Sequence, residues 1–532
     1  MDLWRAPPGQ ALVFRCPLLY ILNVQVKTAP DEIQDYLKDT SNMPDGHAER
    51  LIMPSSIEEV QAVLREANAA KIPVTISGAR TGTVGGAIPF GGWVLSLDKL
   101  NTVKSLDRTA MKIIVEPGAT LDEVKKAAEA EGLLYPPDPT EWSCQIGGNI
   151  ATNASGARSF KYGATRRWVE RLTIVLADGD LLELHRGEHV SIDGLLRVTT
   201  RSGREIVVGV PTYERPDVTK NASGYFSGPT VDAIDLFIGN EGTLGVIVKA
   251  ELSLVPRPEA TFSGVVFFES QEALLHFVDS VRELSRHSQI GANPPATAGG
   301  TDTRGYSSRI DASLLEYFDQ NSLRFIAEKF PESPVQVAGA VYFEQETAAE
   351  TEDAVFAAWN ELLERTNADL DRSWFTTTDA DKEKMRQFRH ALPLAANERY
   401  SRSGFKKVST DMAVPVDRFR SLLKFYEDIC GASGIDHIIF GHIGDCHLHL
   451  NLFPKTEDEA TRARHIYGRC VAQAIMLGGV LSAEHGTGKL KRRYLAVMMG
   501  ERYLNEMAEV KRAFDPNGIL GRGNLFDESY LG

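Results

Sequence analysis

Between about residues 48 and 257, apolar positions switch repeatedly between strand-like and helix-like spacing. Leu51-Ile52-Met53 is a short apolar run closed by Pro54. Ile57, Val60, Leu64 and Ala67 then recur at the spacing that lines one helical face. Ser56 with Glu59 three residues on has the form of a capping box, and so has Thr120 with Glu123. Ile72 to Ile76 and Ile113 to Val115 read as strands, and Leu172–Leu176 and Leu181–Leu184 flank the hairpin signal Asp178-Gly179. Pro256-Arg257-Pro258 marks a first domain boundary. Beyond it, Val265–Phe268 and Val335–Phe343 are strand-like and the stretches 271–287 and 346–366 are helical. The Gly/Pro/Thr-rich run 291–305 reads as a mobile loop. This second region predicts an α+β layer, a sheet with helices on one face, and the last hundred residues end in helical stretches.

The chain has 532 residues, too many for one ordinary core. The expected division is an N-terminal extension over 1–45, one domain over 46–257, a second over 258–480, and a C-terminal region over 481–532 that packs back on the first domain. A net charge of -14 argues against nucleic acid as the main partner. The apolar start, Ala11 to Val26, is broken by Arg15, Pro17 and Asn23, so no transmembrane segment is expected. Five scattered cysteines with no CxxC pair suit a reducing compartment, and the expected location is cytoplasmic or peripheral to a membrane.

Two constellations carry chemistry. The first is glycine-rich. Ser77-Gly78-Ala79-Arg80-Thr81-Gly82 follows a strand, where glycines let successive N–H groups curl around an anion. It is no dinucleotide fingerprint, because Arg80 stands where the second glycine would fall. Gly486-Thr487-Gly488-Lys489 is likewise no P-loop, with Ala483 and Leu490 at the ends of the motif. A surface turn would explain the first loop alone equally well. The rigid turn Pro136-Pro137-Asp138-Pro139, the small and amide-rich run Gly147-Gly148-Asn149-Ile150-Ala151-Thr152-Asn153-Ala154-Ser155-Gly156, and Gly239 to Ile247 with Glu241 and Gly242 shift the balance toward a flat ligand carrying a diphosphate.

The second constellation is rich in histidine. From His447 to Leu452 the chain alternates strictly, sending Leu448, Leu450 and Leu452 to a core and His447, His449 and Asn451 to the opposite face. His442 arrives from the preceding turn, and Glu484-His485 follows later. Two histidines and a glutamate make a three-ligand divalent site with open positions, which a 2-hydroxy acid can chelate.

The three glycine-rich stretches, Gly78–Pro89, Cys144–Gly156 and Glu241–Lys249, resemble "GxGTGxxGGAxP", "CxIGGNIATNAxG" and "EGTLGIIT". These are patterns of the vanillyl-alcohol oxidase / p-cresol methylhydroxylase superfamily, in its glycolate oxidase / D-lactate dehydrogenase / D-2-hydroxyglutarate dehydrogenase branch. The resemblance implies a two-part FAD-binding domain, an α+β substrate (cap) domain and a helical C-terminal region. It implies FAD held through Ser77, Gly78, Ala79, Arg80, Thr81, Gly82, Pro137, Asp138, Gly147, Gly148, Asn149, Thr152, Asn153, Gly156, Glu241, Gly242 and Ile247. The loop lacks the histidine that some relatives join to flavin, so FAD is expected to be non-covalent.

The C-terminal segments are similar to "GHxGDGNLHLN" and "SxEHGxG" of the same branch, with Cys446-His447 in place of Gly-Asn. Carried over, His442, His449 and Glu484 hold a divalent metal, zinc or manganese; Asn451 touches substrate; and His485 is the catalytic base. His447 stands as a further substrate contact or an extra ligand. Arg389 matches an arginine that grips the substrate carboxylate in relatives, and Lys407 shares a strand face with Ser409, where some relatives have lysine. The implied activity is FAD-dependent oxidation of a small 2-hydroxy acid such as D-lactate, glycolate or D-2-hydroxyglutarate. No iron–sulfur cysteine cluster is present, so electrons leave to an external acceptor: a quinone, a cytochrome, an electron-transfer flavoprotein or oxygen. A homodimer is open. The alternatives are a metal-free alcohol or alditol oxidase, an alkyl-glycerone-phosphate synthase-like flavoenzyme, and a flavin-carrying subunit of a larger complex.

Overall fold

The computed structural model describes residues 24–285, 309–376 and 378–531. Most of the apolar start and the run 291–305 thus lie outside the described residues. Local signals translate directly where a side chain closes a backbone bond. Thr120 forms a complete capping box: its hydroxyl accepts from Glu123 N (3.2 Å), and the Glu123 carboxylate accepts from Thr120 N (2.8 Å). At Ser56 only half the box forms, because Glu59 turns instead to Ser55 N (2.6 Å).

The first sheet orders its strands Gln25–Lys27, Arg50–Met53, Trp93–Ser96, Val74–Ser77. The last two pairings are parallel, bridged by the amphipathic helix Ile57–Ala69. Residues 25–27, expected in the extension, are therefore a strand of this sheet, antiparallel to Arg50–Met53. The C-terminal tail joins it too: Val74 N donates to Ile519 O (2.8 Å) and Gly521 N to Val74 O (3.0 Å). The second sheet is antiparallel, in the order Val103–Asp107, Lys112–Val115, Val246–Ser253, Val169–Val175, Leu181–His185. Its last two strands form the expected hairpin. Gly179 turns it at φ +78°, where an added Cβ would lie 2.6 Å from Gln61 O.

The third sheet runs Asp369–Phe375, Ala260–Phe268, Gly339–Thr347, Ala312–Asp319, His437–Gly441, His447–Leu452, Val408–Ser409, with Met412–Ala413 also against His447–Leu452. It corrects the expectation of helices on one face. Val266 and Phe268 share a core with the helices Gln271–Ser285 and Glu352–Arg365. Val265 and Phe267 pack with Leu323, Ile326, Met385 and Phe388 of the helices Gln320–Ile326 and Asp379–Ser403. Four consecutive apolar residues bury both faces of that strand, so both faces are covered. The strand expected over 335–343 instead spans Gly339–Thr347, taking in Glu344, Gln345 and Glu346. Their polar groups find partners: Trp359 Nε1 donates to Gln345 (2.8 Å) and Lys161 pairs with Glu346 (3.0 Å). No helix among the described residues is long and apolar enough to cross a membrane.

Candidate active site

A cleft opens beside the first two sheets, walled by the loop after Val74–Ser77 and by the helix Ile146–Thr152. Of the expected cofactor residues, Gly78, Ala79, Arg80, Thr81, Gly82, Gly147, Gly148, Asn149, Thr152, Glu241, Gly242 and Ile247 line it. Ser77, Pro137, Asp138, Asn153 and Gly156 are not in its wall. They brace it. Ser77 Oγ accepts from Arg80 (3.3 Å), and Asn153 Oδ1 accepts from Arg166 N (2.9 Å). A Cβ on Gly156 would stand 1.9 Å from Asp138 O, and Asp138 is itself paired with Lys125 (3.0 Å).

The cleft fits a diphosphate cofactor. Asn149 Nδ2 is buried with no acceptor, and the helix Ile146–Thr152 starts at Gln145 with no side-chain cap. At Gly82 and Gly148 the space a Cβ would fill is open. Unsatisfied donors beside bare backbone are what an anion needs. Arg80 is not free to serve as a loose charge. Its left-handed φ of +62° explains why glycine suits the position, and its guanidinium folds back on Gly78 O (2.7 Å), over the Tyr36 ring (4.1 Å) and toward Asp98 (3.8 Å).

Glu241 couples the cleft to the second constellation. Its buried carboxylate accepts from Thr487 N and Gly488 N, each at 2.6 Å. Burial pushes its pKa up to about 7, against those bonds. Lys489 Nζ reaches Gly85 O and Gly86 O (3.3 Å each) and Asn524 (2.8 Å). Asn524 in turn donates to Gly86 O (3.0 Å) and Glu241 O (2.9 Å). The stretch that resembled a P-loop is thus a clamp between the tail and the glycine loop.

His442, His447, His449 and Glu484 converge, with candidate ligand atoms all within 4.8 Å of one another. Glu484 Oε1 lies 3.2 Å from His449 Nε2, and Oε2 lies 3.4 Å from His442 Nε2. The carbonyl of Thr410, 3.0 Å from His449 Nδ1, demands the proton on that nitrogen. The Nε2 lone pair of His449 therefore faces a carboxylate oxygen, an arrangement that a shared cation relieves. His442 Nδ1 lies 3.2 Å from Glu316 without a well-aligned hydrogen bond, so this ring sits between two carboxylates, Glu316 and Glu484. The residues present fit a divalent cation.

His485 stands at the junction. It lines the cleft, its ring stacks on His449 (centroids 5.4 Å apart, planes 11°), and Nδ1 is 3.4 Å from Asp411. Burial, opposed by Asp411 and Glu484, pushes its pKa down to about 4, so the imidazole is neutral near pH 7. Asp411 accepts from Ser482 Oγ (2.7 Å), Glu484 N (3.2 Å), His485 N (3.1 Å) and Lys491 Nζ (2.6 Å). Despite its burial, His485, Lys491 and His447 hold Asp411 well below the usual carboxylate range. Glu484 is also held low against burial, by Lys220, His442 and His447.

Arg389 is tied to this cluster through Glu316 (3.5 Å), and it also faces Asp138 (3.9 Å). Asn451 sits on the histidine strand with a buried Oδ1 that accepts no hydrogen bond. Lys407 is half-buried one residue before the Val408–Ser409 pairing, and burial lowers its pKa. Sequence reasoning missed Lys220, fully buried 3.1 Å from Glu484 and 3.5 Å from Asp445, and gave no role to Glu316 or Asp411. Lys220 lies in a loop without periodicity. Only Asp411 left a trace, on the strand face it shares with Lys407 and Ser409.

Comparison with known proteins places the chain in a family. Residues 48–185 match the FAD binding domain family, and residues 296–525 match the family of FAD linked oxidases, C-terminal domain. The D-lactate dehydrogenase of Anaerostipes hadrus is 30% identical over 90% of this chain and 89% of its own length. The D-2-hydroxyglutarate dehydrogenase of Xanthomonas citri pv. viticola is 29% identical over 95% of this chain and 94% of its own. Substrate-bound p-cresol methylhydroxylase shares the fold at a TM-score of 0.68 and 16% identity, covering 95% of this chain and 94% of its own.

Proposed function

The chain belongs to the FAD-linked oxidases, in the branch of D-lactate and D-2-hydroxyglutarate dehydrogenases, and from that premise we propose that it oxidises a small D-2-hydroxy acid to the 2-keto acid with a divalent cation holding the substrate. One observation carries the reading: His485 lines the wall of the cofactor cleft and also touches the cluster of His442, His449 and Glu484, stacking on His449 with its Nε2 3.6 Å from Glu484. Bound FAD supplies the two-electron acceptor, and the cation, zinc or manganese, supplies a Lewis acid that acidifies the substrate hydroxyl.

The chain supplies the rest. His442, His449 and Glu484 are the cation's ligands. His485 takes the hydroxyl proton at Nε2, because Asp411 beside Nδ1 fixes the tautomer that leaves Nε2 as base. Arg389 offers its guanidinium to the substrate carboxylate in a planar, bidentate grip, with Glu316 holding its direction. Asn451, with its unsatisfied buried oxygen, takes a polar hydrogen of the substrate, and Lys407, one residue before the strand Val408–Ser409 that pairs with His447–Leu452, adds a positive charge for the substrate carboxylate. FAD would be held without a covalent bond, and an external acceptor would take up the electrons from the reaction.

The test is anaerobic reduction of the flavin, followed by its visible absorbance, with 2-hydroxy acids of both hands and with simple alcohols and alditols. We expect a D-2-hydroxy acid to bleach the flavin and a chelator to suppress the bleaching. Reduction by alditols, or by acids at full rate in chelator, would favour the metal-free oxidase reading instead.

A further inference from the structure

We propose that His447 is a fourth protein ligand of the cation, so that the ion is held by three imidazoles and one carboxylate rather than by two imidazoles and one carboxylate. The inference rests on the cation site proposed above and assigns one residue within it. His447 has no solvent exposure, whereas the His485 side chain is 30% exposed at the cleft wall. A ligand of a resident ion can be wholly enclosed in this way, and the geometry around the ring decides between the two roles the sequence left open.

The surroundings of the ring point the same way. His447 lies between the other two imidazoles, with ring centroids 5.3 Å from His442 and 4.6 Å from His449. Its Nε2 is 3.2 Å from Asp411 Oδ1 and its Nδ1 is 4.0 Å from Glu484 Oε2, yet neither nitrogen has a well-aligned hydrogen bond. With the proton on Nε2, facing Asp411, the Nδ1 lone pair is left pointing at a carboxylate oxygen. A wholly buried imidazole in that state lacks a partner, and a shared cation provides one.

Ligands about 2.1 Å from a tetrahedral ion stand about 3.4 Å apart. Glu484 Oε1 is 3.2 Å from His449, its Oε2 is 3.4 Å from His442 and 4.0 Å from His447, and all the candidate ligand atoms lie within 4.8 Å of one another, so the widest pair draws in by at most about 1.4 Å to reach that spacing. Three imidazoles favour zinc, cobalt or nickel over manganese or magnesium. The substrate then joins as an added ligand, beyond four protein atoms.

The experiment uses the purified flavoprotein loaded with zinc or cobalt(II) alone, without substrate. X-ray absorption at the metal edge counts imidazole ligands, and chelator competition gives the affinity. We expect three imidazoles in the wild-type protein and two in His447→Asn, with affinity lower by about tenfold to a hundredfold and flavin content unchanged. Two imidazoles in the wild type, or equal affinity in the variant, would overturn the fourth-ligand assignment while leaving the three-ligand site standing. A wild-type protein that takes up neither ion would remove the cation site itself. If His447→Asn fails to fold, the ligand count in the wild type decides alone.

Discussion

Lys220→Met should tighten the cation site while weakening the cation-free fold. The Lys220 ammonium is fully buried, 3.1 Å from Glu484 Oε2 and 3.5 Å from Asp445 Oδ2. At an effective dielectric constant near 20, each pairing has a raw attraction of about 5 kcal/mol. The net worth of such a charge-assisted hydrogen bond is about 1.5–3 kcal/mol after desolvation. A cation that binds Glu484 must compete with that ammonium. Methionine fills the same volume without the charge, so removing the competitor should raise metal affinity about tenfold to a hundredfold. In chelator the two carboxylates lose their counter-charge, and stability should fall by about 3–5 kcal/mol. Chelator competition reads the first effect, and the thermal midpoint with and without metal reads the second. The reasoning fails if Lys220→Met binds the ion more weakly, or if its loss of stability is the same with metal bound as without it.

Arg389→Lys should cut kcat/KM for the acid by about ten- to a hundredfold, chiefly through KM, with flavin retained; an unchanged KM in anaerobic reduction kinetics would remove Arg389 from carboxylate binding. Asp319 tests the electrostatics of the third sheet. Its buried carboxyl caps the helix Gln320–Ile326, and burial raises its pKa to about 6 from 3.8. At this group the folded protein therefore binds more protons than the unfolded chain between those values, so the contribution of this carboxyl to stability is full below pH 3.8 and is lost as pH rises through 6, by about 3 kcal/mol. Asp319→Asn keeps a capping side chain and should flatten that fall, and parallel stability curves from pH 4 to 7 would contradict the assignment.

Much of the fold was legible where chemistry is local. The Thr120–Glu123 box, the Asp178-Gly179 hairpin and the alternation of His447–Leu452 each encode their geometry within a few residues. So did the convergence of His442, His449 and Glu484, because three of the four clustered residues share one strand and its turn. What stayed hidden depends on distant partners. The run Val265–Phe268 does not say whether one face or two is buried until helices from 320–326 and 379–403 cover the second. The strand on which Lys407 and Ser409 were expected to share a face breaks into Val408–Ser409 and Met412–Ala413. Between them, Thr410 turns its carbonyl to His449 and Asp411 gathers four donors. Lys220 and Glu316 meet the site only through tertiary packing, as Lys125 meets Asp138.

Metal and flavin content of His442→Ala beside the wild type, with anaerobic reduction by the best D-2-hydroxy acid, addresses the proposed chemistry most directly. Both proteins should carry FAD, but only the wild type should hold one divalent ion per chain and be reduced. A wild-type protein purified and assayed without metal that is still reduced at full rate, or a variant that is reduced normally, would contradict the account.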